Sequence, residues 1–293
     1  MFLSLPARAP LPLSKALWVD TAVAGWPAAW RPQRESAGQF PWRHALGQRR
    51  PVHALLADSS GAWSWGPDDA HAAATRHASL PAWFKANPGC DVRLWLSAEL
   101  TRSLDHHHAS AHQDDETLRS SAHREFIERH SPAAAAWALT TRTSDAGRGV
   151  RALAGTDLNV VNREAGWHDV RVRSVVPWWY HASLVARRCV NALNQSDRGH
   201  VCVVEGREIA WITTVRGLLA DVRQSSLEAA TVGALQAVIA AAAAQSPGPA
   251  PVVLGQGLVD GARTSGLSAL VLGRLDGDQP PLWLRPSGRT ALH

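Results

Sequence analysis

GHVCVVEGREIAWITTVRG, residues 199–217, is the stretch on which the prediction of the fold depends. Its first half contains four consecutive apolar residues, Val201 to Val204, a run typical of a strand that is buried on both faces. The polar residues Glu205, Gly206 and Arg207 follow, and the apolar pattern then returns. The segment therefore predicts a β-hairpin whose turn lies at these three polar residues.

The residues after this hairpin predict a helix and a third strand. Apolar residues recur at steps of three and four between about Ser225 and Gln245, which predicts an amphipathic helix. PVVLGQG, residues 251–257, predicts a strand that ends in Gly255 and Gly257. Hairpin, helix and strand together form an α/β unit, and in such units a ligand can bind at the glycine end.

Composition limits the class of protein. The chain has 293 residues, of which 45% are hydrophobic and 19% charged, as in a soluble globular protein with two domains or two lobes. No window of about 18 apolar residues predicts a membrane span, and the proline-broken start does not resemble a signal peptide. Three widely spaced cysteines favour a reducing cytoplasm over a disulfide framework. The net charge of +5 is scattered and does not indicate nucleic-acid binding.

Similar elements alternate upstream of residue 199. A hairpin is predicted around residues 58–61, and residues 92–96 alternate as in a strand, after which Ser97 is suited to be the N-cap of a helix. Strand and helix units interrupted by hairpins occur twice along the chain. The sequence therefore predicts an α/β protein with mixed sheets and two lobes, residues 1–150 and residues 151–293.

DHHHASAHQDDE, residues 105–116, is the segment in which metal-binding residue types are most concentrated. His108 and His112 are four residues apart, as on one face of a helix, so a metal-dependent hydrolase is one alternative function. Three consecutive histidines cannot all point in one direction, however, and no HExxH pattern accompanies them. We therefore favour a solvated loop and predict no metal ligands.

The order of elements, with several short phrases, resembles a known family. The phrases are DVRLWLSAELTRSL, REFIERH, TDLNVVNREAGWHDVRVRSVVPWW and GHVCVVEGREIAWI, and the resemblance covers about residues 90–245. They resemble the actin-like cytoplasmic assembly proteins of type IV pilus and type II secretion machines. The resemblance implies an actin-like, ribonuclease H-like fold of two lobes. It also implies a position beneath the inner membrane and binding to the short cytoplasmic tail of a single-pass partner.

In the pilus members of that family the cleft between the lobes binds ATP, and the resemblance names candidate residues for this site. VDTAVAG keeps Asp20 of the first phosphate loop but has threonine where a glycine belongs. VVEGRE supplies Gly206 to the second loop, one position out of place, and LGQGL keeps Gly255 and Gly257 of the adenine-side turn. A Cβ fills the space in which backbone N–H groups would surround a triphosphate, so we expect a degenerate cleft. A plain strand-to-helix turn is the simpler interpretation of Gly255 and Gly257.

These expectations lead to a predicted function. The chain is expected to be a non-catalytic scaffold without a required cofactor, peripheral at the inner membrane, that links a single-pass membrane protein to the rest of a pilus or secretion machine. A cytoplasmic motor ATPase and a second copy of the chain are further partners that the resemblance leaves open. An active ATP-binding actin-like protein is the main alternative. No catalytic residue is predicted.

Overall fold

The computed structural model describes residues 50–65, 74–106, 114–144, 147–154, 157–245 and 248–280. Within these ranges thirteen strands form three sheets, two with five strands and one with three. The strands are β1 Val52–Asp58, β2 Gly61–Trp65, β3 Thr75–His77, β4 Asp91–Leu96, β5 Thr101–His106, β6 Ala138–Ser144, β7 Gly147–Leu153, β8 Arg171–Pro177, β9 Gly199–Glu205, β10 Glu208–Val215, β11 Leu218–Ser226, β12 Val252–Gln256 and β13 Leu270–Val271.

The first five-stranded sheet has the order β3-β2-β1-β4-β8. Strands β1, β2 and β3 form an antiparallel meander, and β4 and β8 join the other side of β1 in parallel. The central strands β1 and β4 are mostly buried, as their apolar residues require. This mixed α/β sheet confirms the class of fold that the sequence predicts.

The second five-stranded sheet repeats the first. Its order is β11-β10-β9-β12-β13, again an antiparallel meander of three strands with two strands added in parallel. Strand β9 corresponds to β1 and β12 to β4. Both hairpins therefore occupy equivalent places, and each has a turn of two residues.

Helices connect and cover these sheets. They are α1 Leu80–Ala86, α2 Asp115–His130, α3 Leu158–Trp167, α4 Trp178–Cys189, α5 Ala192–Gln195 and α6 Val232–Gln245, with a 3₁₀ turn at Pro132–Ala136. The third sheet, β5-β7-β6, packs against α2. None of the helices in the described residues is both long and apolar enough to span a membrane.

Helix α4 lies in a core that both large sheets share. Trp178 and Trp179 begin this helix and are fully buried. They belong to one cluster with Leu56 of β1 and with Val203 of β9. The two sheets are therefore joined by a common apolar core, and any movement of one sheet relative to the other has to repack these indoles.

The structure corrects the prediction of a helix after Ser97. Residues 97–100 form a turn closed by the Leu100 N–H, which donates to the Ser97 carbonyl, and the chain then enters β5. Strand β5 pairs along its whole length with β7. Pairing with a distant strand has overridden the local helix signal here.

The long helix after the second hairpin also begins later than predicted. Residues 218–226 form β11, an edge strand of the second sheet, and α6 starts only at Val232. The Val232 N–H donates to the Asp260 side chain, 2.7 Å away, so a residue far along the chain caps the helix. Neither β11 nor this distant cap is visible in a pattern of apolar residues.

The change from one large sheet to the other occurs between β8 and β9. The predicted limit between residues 150 and 151 falls within β7, and β8, which follows it, pairs with β4 of the first sheet. A division of the chain into two lobes at residue 150 remains a prediction. The sheets themselves assign residues 52–177 mainly to the first half and residues 199–271 to the second.

Candidate functional site

Two equivalent hairpins face each other across a cavity between the two large sheets. Strand β1 ends at Asp58 and β9 ends at Glu205, so each hairpin begins with a carboxylate at its turn. The cavity has a volume of about 280 Å³, near the small end of the range for ligand pockets. Its lining residues are Leu56, Asp58, Ser97, Glu99, Glu205, Gly206, Arg207 and Gln256.

The turn of the first hairpin is held by the protein's own carboxylates. The Ser59 N–H and hydroxyl donate to the two oxygens of Glu99, at 3.0 and 2.8 Å. The Ser60 N–H donates to Asp58 Oδ1 at 2.8 Å. A phosphate that used these two N–H groups would have to displace both carboxylates.

Asp58 is itself neutralised by a cation. The two terminal nitrogens of the Arg76 guanidinium, Nη1 and Nη2, donate to Oδ2 and Oδ1 of Asp58, at 2.5 and 2.8 Å. Burial alone would raise the pKa of Asp58, but the hydrogen bonds from Arg76 and Ser60 outweigh it, and the pKa lies below its ordinary value. Asp58 is therefore an ionised, fully paired member of the site.

Glu205, the carboxylate at the second turn, has no ion pair of the kind that Asp58 has in the part of the chain that the structure describes. The Ala98 N–H donates to Glu205 Oε1 at 3.1 Å, which makes a direct hydrogen bond between the two halves of the molecule. No cation bonds to this carboxylate among the described residues. Burial, reinforced by the negative charges of Glu99, Glu208 and Asp58, raises the pKa of Glu205 to about 8.

Further bonds hold residues 98–102 of the first half against the second. Gln224 of β11 donates to the carbonyls of Ala98 and Thr101, at 3.3 and 3.0 Å. Arg102 forms an ion pair with Glu208 of β10, at 3.2 Å. Hydrogen bonds and an ion pair between the halves thus hold the segment of residues 98–102, next to the cavity, in place.

Two glycines allow the second hairpin to approach β12. Gly255 has a φ of +139° and pairs with Val204, and a Cβ at this position would lie 1.9 Å from the Val204 carbonyl oxygen. Gly257, with a φ of +85°, lies against the backbone of Gly206. Gly255 and Gly257 therefore allow β12 to pack against the side of the hairpin that faces away from the cavity. Of the three candidate glycines, Gly206 is the one that lines the cavity.

Two polar atoms of the cavity wall have no hydrogen-bond partner among the described residues. They are the Ser97 hydroxyl and the Gln256 side-chain oxygen. Ser97 directly follows β4 and its N–H donates to the Ala57 carbonyl, while Gln256 ends β12 and pairs with Glu205. The two residues thus hold equivalent places in the two sheets, one beside each carboxylate. A buried polar atom without a protein partner can be satisfied by a ligand or by water.

The candidate residues from the sequence are only partly brought together. Asp20 lies outside the described residues. Gly206 lines the cavity, whereas Gly255 and Gly257 lie behind it, and no helix follows them in residues 258–280. The expected strand-to-helix turn is therefore wrong in its second half, because the chain continues in turns and the Gly257 N–H donates to the Gly277 carbonyl.

Sequence reasoning missed the contributions of Asp58, Ser97, Glu99 and Gln256 to this site. A signal for the first of them is present in the sequence. VHALLAD and GHVCVVE are both seven-residue strands that end in an acid and enter a two-residue turn. Comparison of these two phrases places Asp58 and Glu205 in equivalent positions.

The histidine-rich segment does not form a described site. Residues 107–113 lie outside the described residues, and within the described ranges no three His, Cys, Asp or Glu side chains are placed to hold a metal ion. Asp114 caps helix α2 through the Thr117 N–H, and Asp115 forms an ion pair with Arg148. These two carboxylates already have structural roles.

Comparison with known proteins gives likeness at the level of structure. No protein-family model matches the chain, and no curated protein matches it. An actin-like ATPase-fold protein of unknown function from Bacteroides thetaiotaomicron is 9% identical, with 75% of this chain and 85% of that chain covered and a TM-score of 0.45. The cytoplasmic domain of EpsL, an inner-membrane component of the type II secretion system of Vibrio cholerae, is 11% identical, covering 70% and 81%, with a TM-score of 0.42. A PilM–PilN type IV pilus biogenesis complex is 13% identical, with 77% of this chain and 89% of that chain covered and a TM-score of 0.47.

The class of the protein follows from the duplicated sheet. Two five-stranded sheets with the same order and the same strand directions enclose a shared helix, and a hairpin from each sheet faces one cavity. This is an α/β fold of the actin-like class.

Proposed function

We propose that this chain is a non-catalytic actin-like scaffold of a type IV pilus or type II secretion machine. In this role it lies on the cytoplasmic face of the inner membrane and binds the cytoplasmic tail of a single-pass membrane protein. It works by recognition of that tail, without nucleotide hydrolysis. The resemblance of several phrases of the sequence to the pilus and secretion proteins supports the assignment to these machines.

One observation carries the non-catalytic part of the proposal. The N–H groups of Ser59 and Ser60 at the first turn donate to Glu99 and Asp58, and the Gly206 N–H at the second turn donates to the Gln256 carbonyl. An anion bound between the hairpins would find these donors already used. It would also face the negative charge of Glu99, which has no ion pair among the described residues.

Thermal unfolding with nucleotide tests this part. A ligand at 100 times its dissociation constant adds about 2.7 kcal/mol to the free energy of unfolding, which raises Tm by several degrees in a protein of this size. We expect 1 mM ATP with Mg²⁺ to raise Tm by less than about 1 °C, by the same reasoning. Glu99→Gln and the exposed control Glu128→Gln should behave like the unchanged protein. A rise of several degrees with ATP, or release of phosphate from it, would refute the non-catalytic assignment.

Titration with a peptide tests the partner. The neighbouring genes are first searched for one that encodes a single-pass membrane protein with a short cytoplasmic tail. That tail is the test peptide, and a scrambled peptide of the same composition is the control. We expect saturable binding of the first peptide only, by calorimetry. The proposal fails if neither peptide binds and the chain remains in the soluble fraction when co-expressed with the full membrane protein.

A further inference from the structure

We propose that the cavity between the two hairpins binds a primary ammonium group, supplied either by a small organic amine or by a lysine side chain. The site consists of Glu205, Glu99, Ser97 and Gln256. It is a binding site of its own and does not depend on the scaffold function. Its evidence is the balance of charge in the cavity and the two oxygen atoms that have no partner.

The cavity has excess negative charge whenever Glu205 is ionised. Three carboxylates and one guanidinium line it, those of Asp58, Glu99, Glu205 and Arg207. Arg76 neutralises the first of these carboxylates from outside the cavity. Glu99 and Glu205 accept hydrogen bonds only from uncharged N–H and O–H groups. A buried or partly buried carboxylate without a cation is costly, so a bound cation would stabilise this arrangement.

The unpartnered oxygens specify the kind of cation. Ser97 is only 4% exposed, and its hydroxyl has no partner among the described residues. The Gln256 side-chain oxygen on the equivalent strand is also unpartnered. An ammonium group has three N–H donors and no acceptor. These two oxygens and the Glu205 carboxylate line the same cavity, and three donors match these three acceptors in number.

The alternative ligand classes match the site less well. A metal ion would require several ligands of the carboxylate, imidazole or thiolate type, and the described residues contain no group of three so placed. A phosphate would face the Glu99 carboxylate and turn N–H groups that are already bonded. Water fits the polar wall, but it leaves Glu205 protonated and does not supply the cation that the ionised carboxylate lacks.

Binding should be linked to release of a proton. The charged groups around Glu205 come from every neighbouring element: Asp58 at the end of β1, Glu99 after β4, Glu208 on β10 and Arg207 at the turn, with Arg102 of β5 paired to Glu208. The pKa of Glu205 is raised to about 8, so near pH 6.5 its carboxyl group is mostly protonated. An ammonium that binds the carboxylate must then displace this proton, and affinity should rise about tenfold per pH unit between pH 6 and 7.5.

Calorimetric titration of the full chain provides the test. The probes are 1,4-diaminobutane and a lysine blocked at both its amino and carboxyl ends. Their controls are the two matching quaternary cations, permethylated 1,4-diaminobutane and trimethylated blocked lysine, which keep the charge of each probe but have no N–H donor on the cationic nitrogen. We expect at least one of the two primary amines to bind, with release of a proton seen as a dependence of the heat on the buffer. Binding of the diamine alone identifies a free amine as the ligand, and binding of the blocked lysine identifies a side chain.

Two variants and one control complete the test. Glu205→Gln keeps an oxygen for the Ala98 N–H, and it should weaken amine binding by about tenfold to a hundredfold and remove its pH dependence. Ser97→Ala should weaken binding by about tenfold. Glu128→Gln, on the exposed side of α2, should change nothing. The proposal is overturned if neither primary amine binds, if the matching quaternary cation binds as tightly, if Mg²⁺ alone binds there, or if Glu205→Gln leaves amine affinity unchanged.

Discussion

The two hairpins at the cavity have the same backbone and opposite electrostatics. Asp58 and Glu205 each end the central strand of a five-stranded sheet and each precede a two-residue turn. Asp58 has a cation, Arg76, and a pKa below its ordinary value. Glu205 has one N–H donor, from Ala98, and a pKa raised to about 8.

This difference shows that repetition of a fold does not repeat the chemistry of its sites. The turn of the first hairpin is held by side chains of its own half of the molecule, Arg76, Glu99 and the two turn serines. The second hairpin is held by the close approach of β12 and by the Ala98 N–H, which belongs to the other half. Within the described ranges, only the second therefore has, at its turn, a carboxyl group without a cation, and a bound cation would favour its ionised form.

The largest expected effect comes from adding a methyl group at Gly255, where β12 lies against the backbone of β9. Gly255→Ala places a Cβ on the Val204 carbonyl oxygen at a φ of +139°, so it should lower the free energy of unfolding by about 3 kcal/mol or more. Gly206→Ala is the matched control, since its φ is +63° but no atom lies within 4 Å. It should cost only about 1 kcal/mol. Equal losses in urea unfolding would show that β12 does not support this hairpin.

The second effect concerns the unpaired carboxylate. The pKa of Glu205 is higher in the folded state than in the unfolded chain, so the folded state binds more protons between about pH 4.5 and pH 8. The stability contributed by its protonation is complete below pH 4.5 and is lost as pH rises through about 8. Glu205→Gln should therefore gain stability relative to the unchanged protein as pH rises, by about 2 kcal/mol at pH 8.5.

The control for this prediction is the other hairpin. The pKa of Asp58 is lowered, so its contribution is present at neutral pH and is lost only in acid. Asp58→Asn should accordingly lose stability at pH 7, opposite in sign to Glu205→Gln. Urea unfolding at several pH values measures both, and the same sign for the two variants would contradict the contrast between the hairpins.

A smaller loss is expected when the cation of the first hairpin is removed. Arg76→Met leaves Asp58 without its paired hydrogen bonds and should cost about 1 to 2 kcal/mol at pH 7, and less in acid, where Asp58 gains a proton. Arg274→Met provides the comparison, because the ion pair of Arg274 with Asp276 lies on the surface. It should leave the midpoint of unfolding unchanged. Equal effects of the two would mean that the Arg76 pair is no more than a surface contact.

Much of the fold could be predicted from the sequence because its elements carry local signals. The run of apolar residues in β9, the turn at Asp58 and the strand β12 are correctly predicted. Strand β5 was missed because it is defined by pairing with β7, which lies far along the chain. Strand β11 was missed although it pairs with its neighbour β10 across a two-residue turn, because its second half, residues 221–226, is mostly polar. A distant partner thus accounts for the first error and a weak local pattern for the second.

The site was less predictable than the fold. Gly206 is identified as a site residue because the resemblance places it in a phosphate loop, and Glu205 is predicted only as a residue of the hairpin turn. Ser97 and Gln256 face the cavity only because β4 and β12 end beside equivalent hairpins. Their missing hydrogen-bond partners are a property of the assembled wall, and no sequence pattern records it.

The smallest expected effect separates a cavity-facing hydroxyl from an ordinary buried one. Ser97 and Ser183 are both 4% exposed, but only the Ser183 hydroxyl has a partner, the Tyr180 carbonyl at 2.7 Å. Removal of a bonded hydroxyl costs about 1 kcal/mol, whereas removal of one without a protein partner costs little. We therefore expect Ser183→Ala to lower the free energy of unfolding by about 1 kcal/mol and Ser97→Ala to change it by less than about 0.5 kcal/mol. If Ser97→Ala is the more damaging of the two, its hydroxyl has a structural bond in solution, and the cavity wall does not present the free oxygen that distinguishes it here.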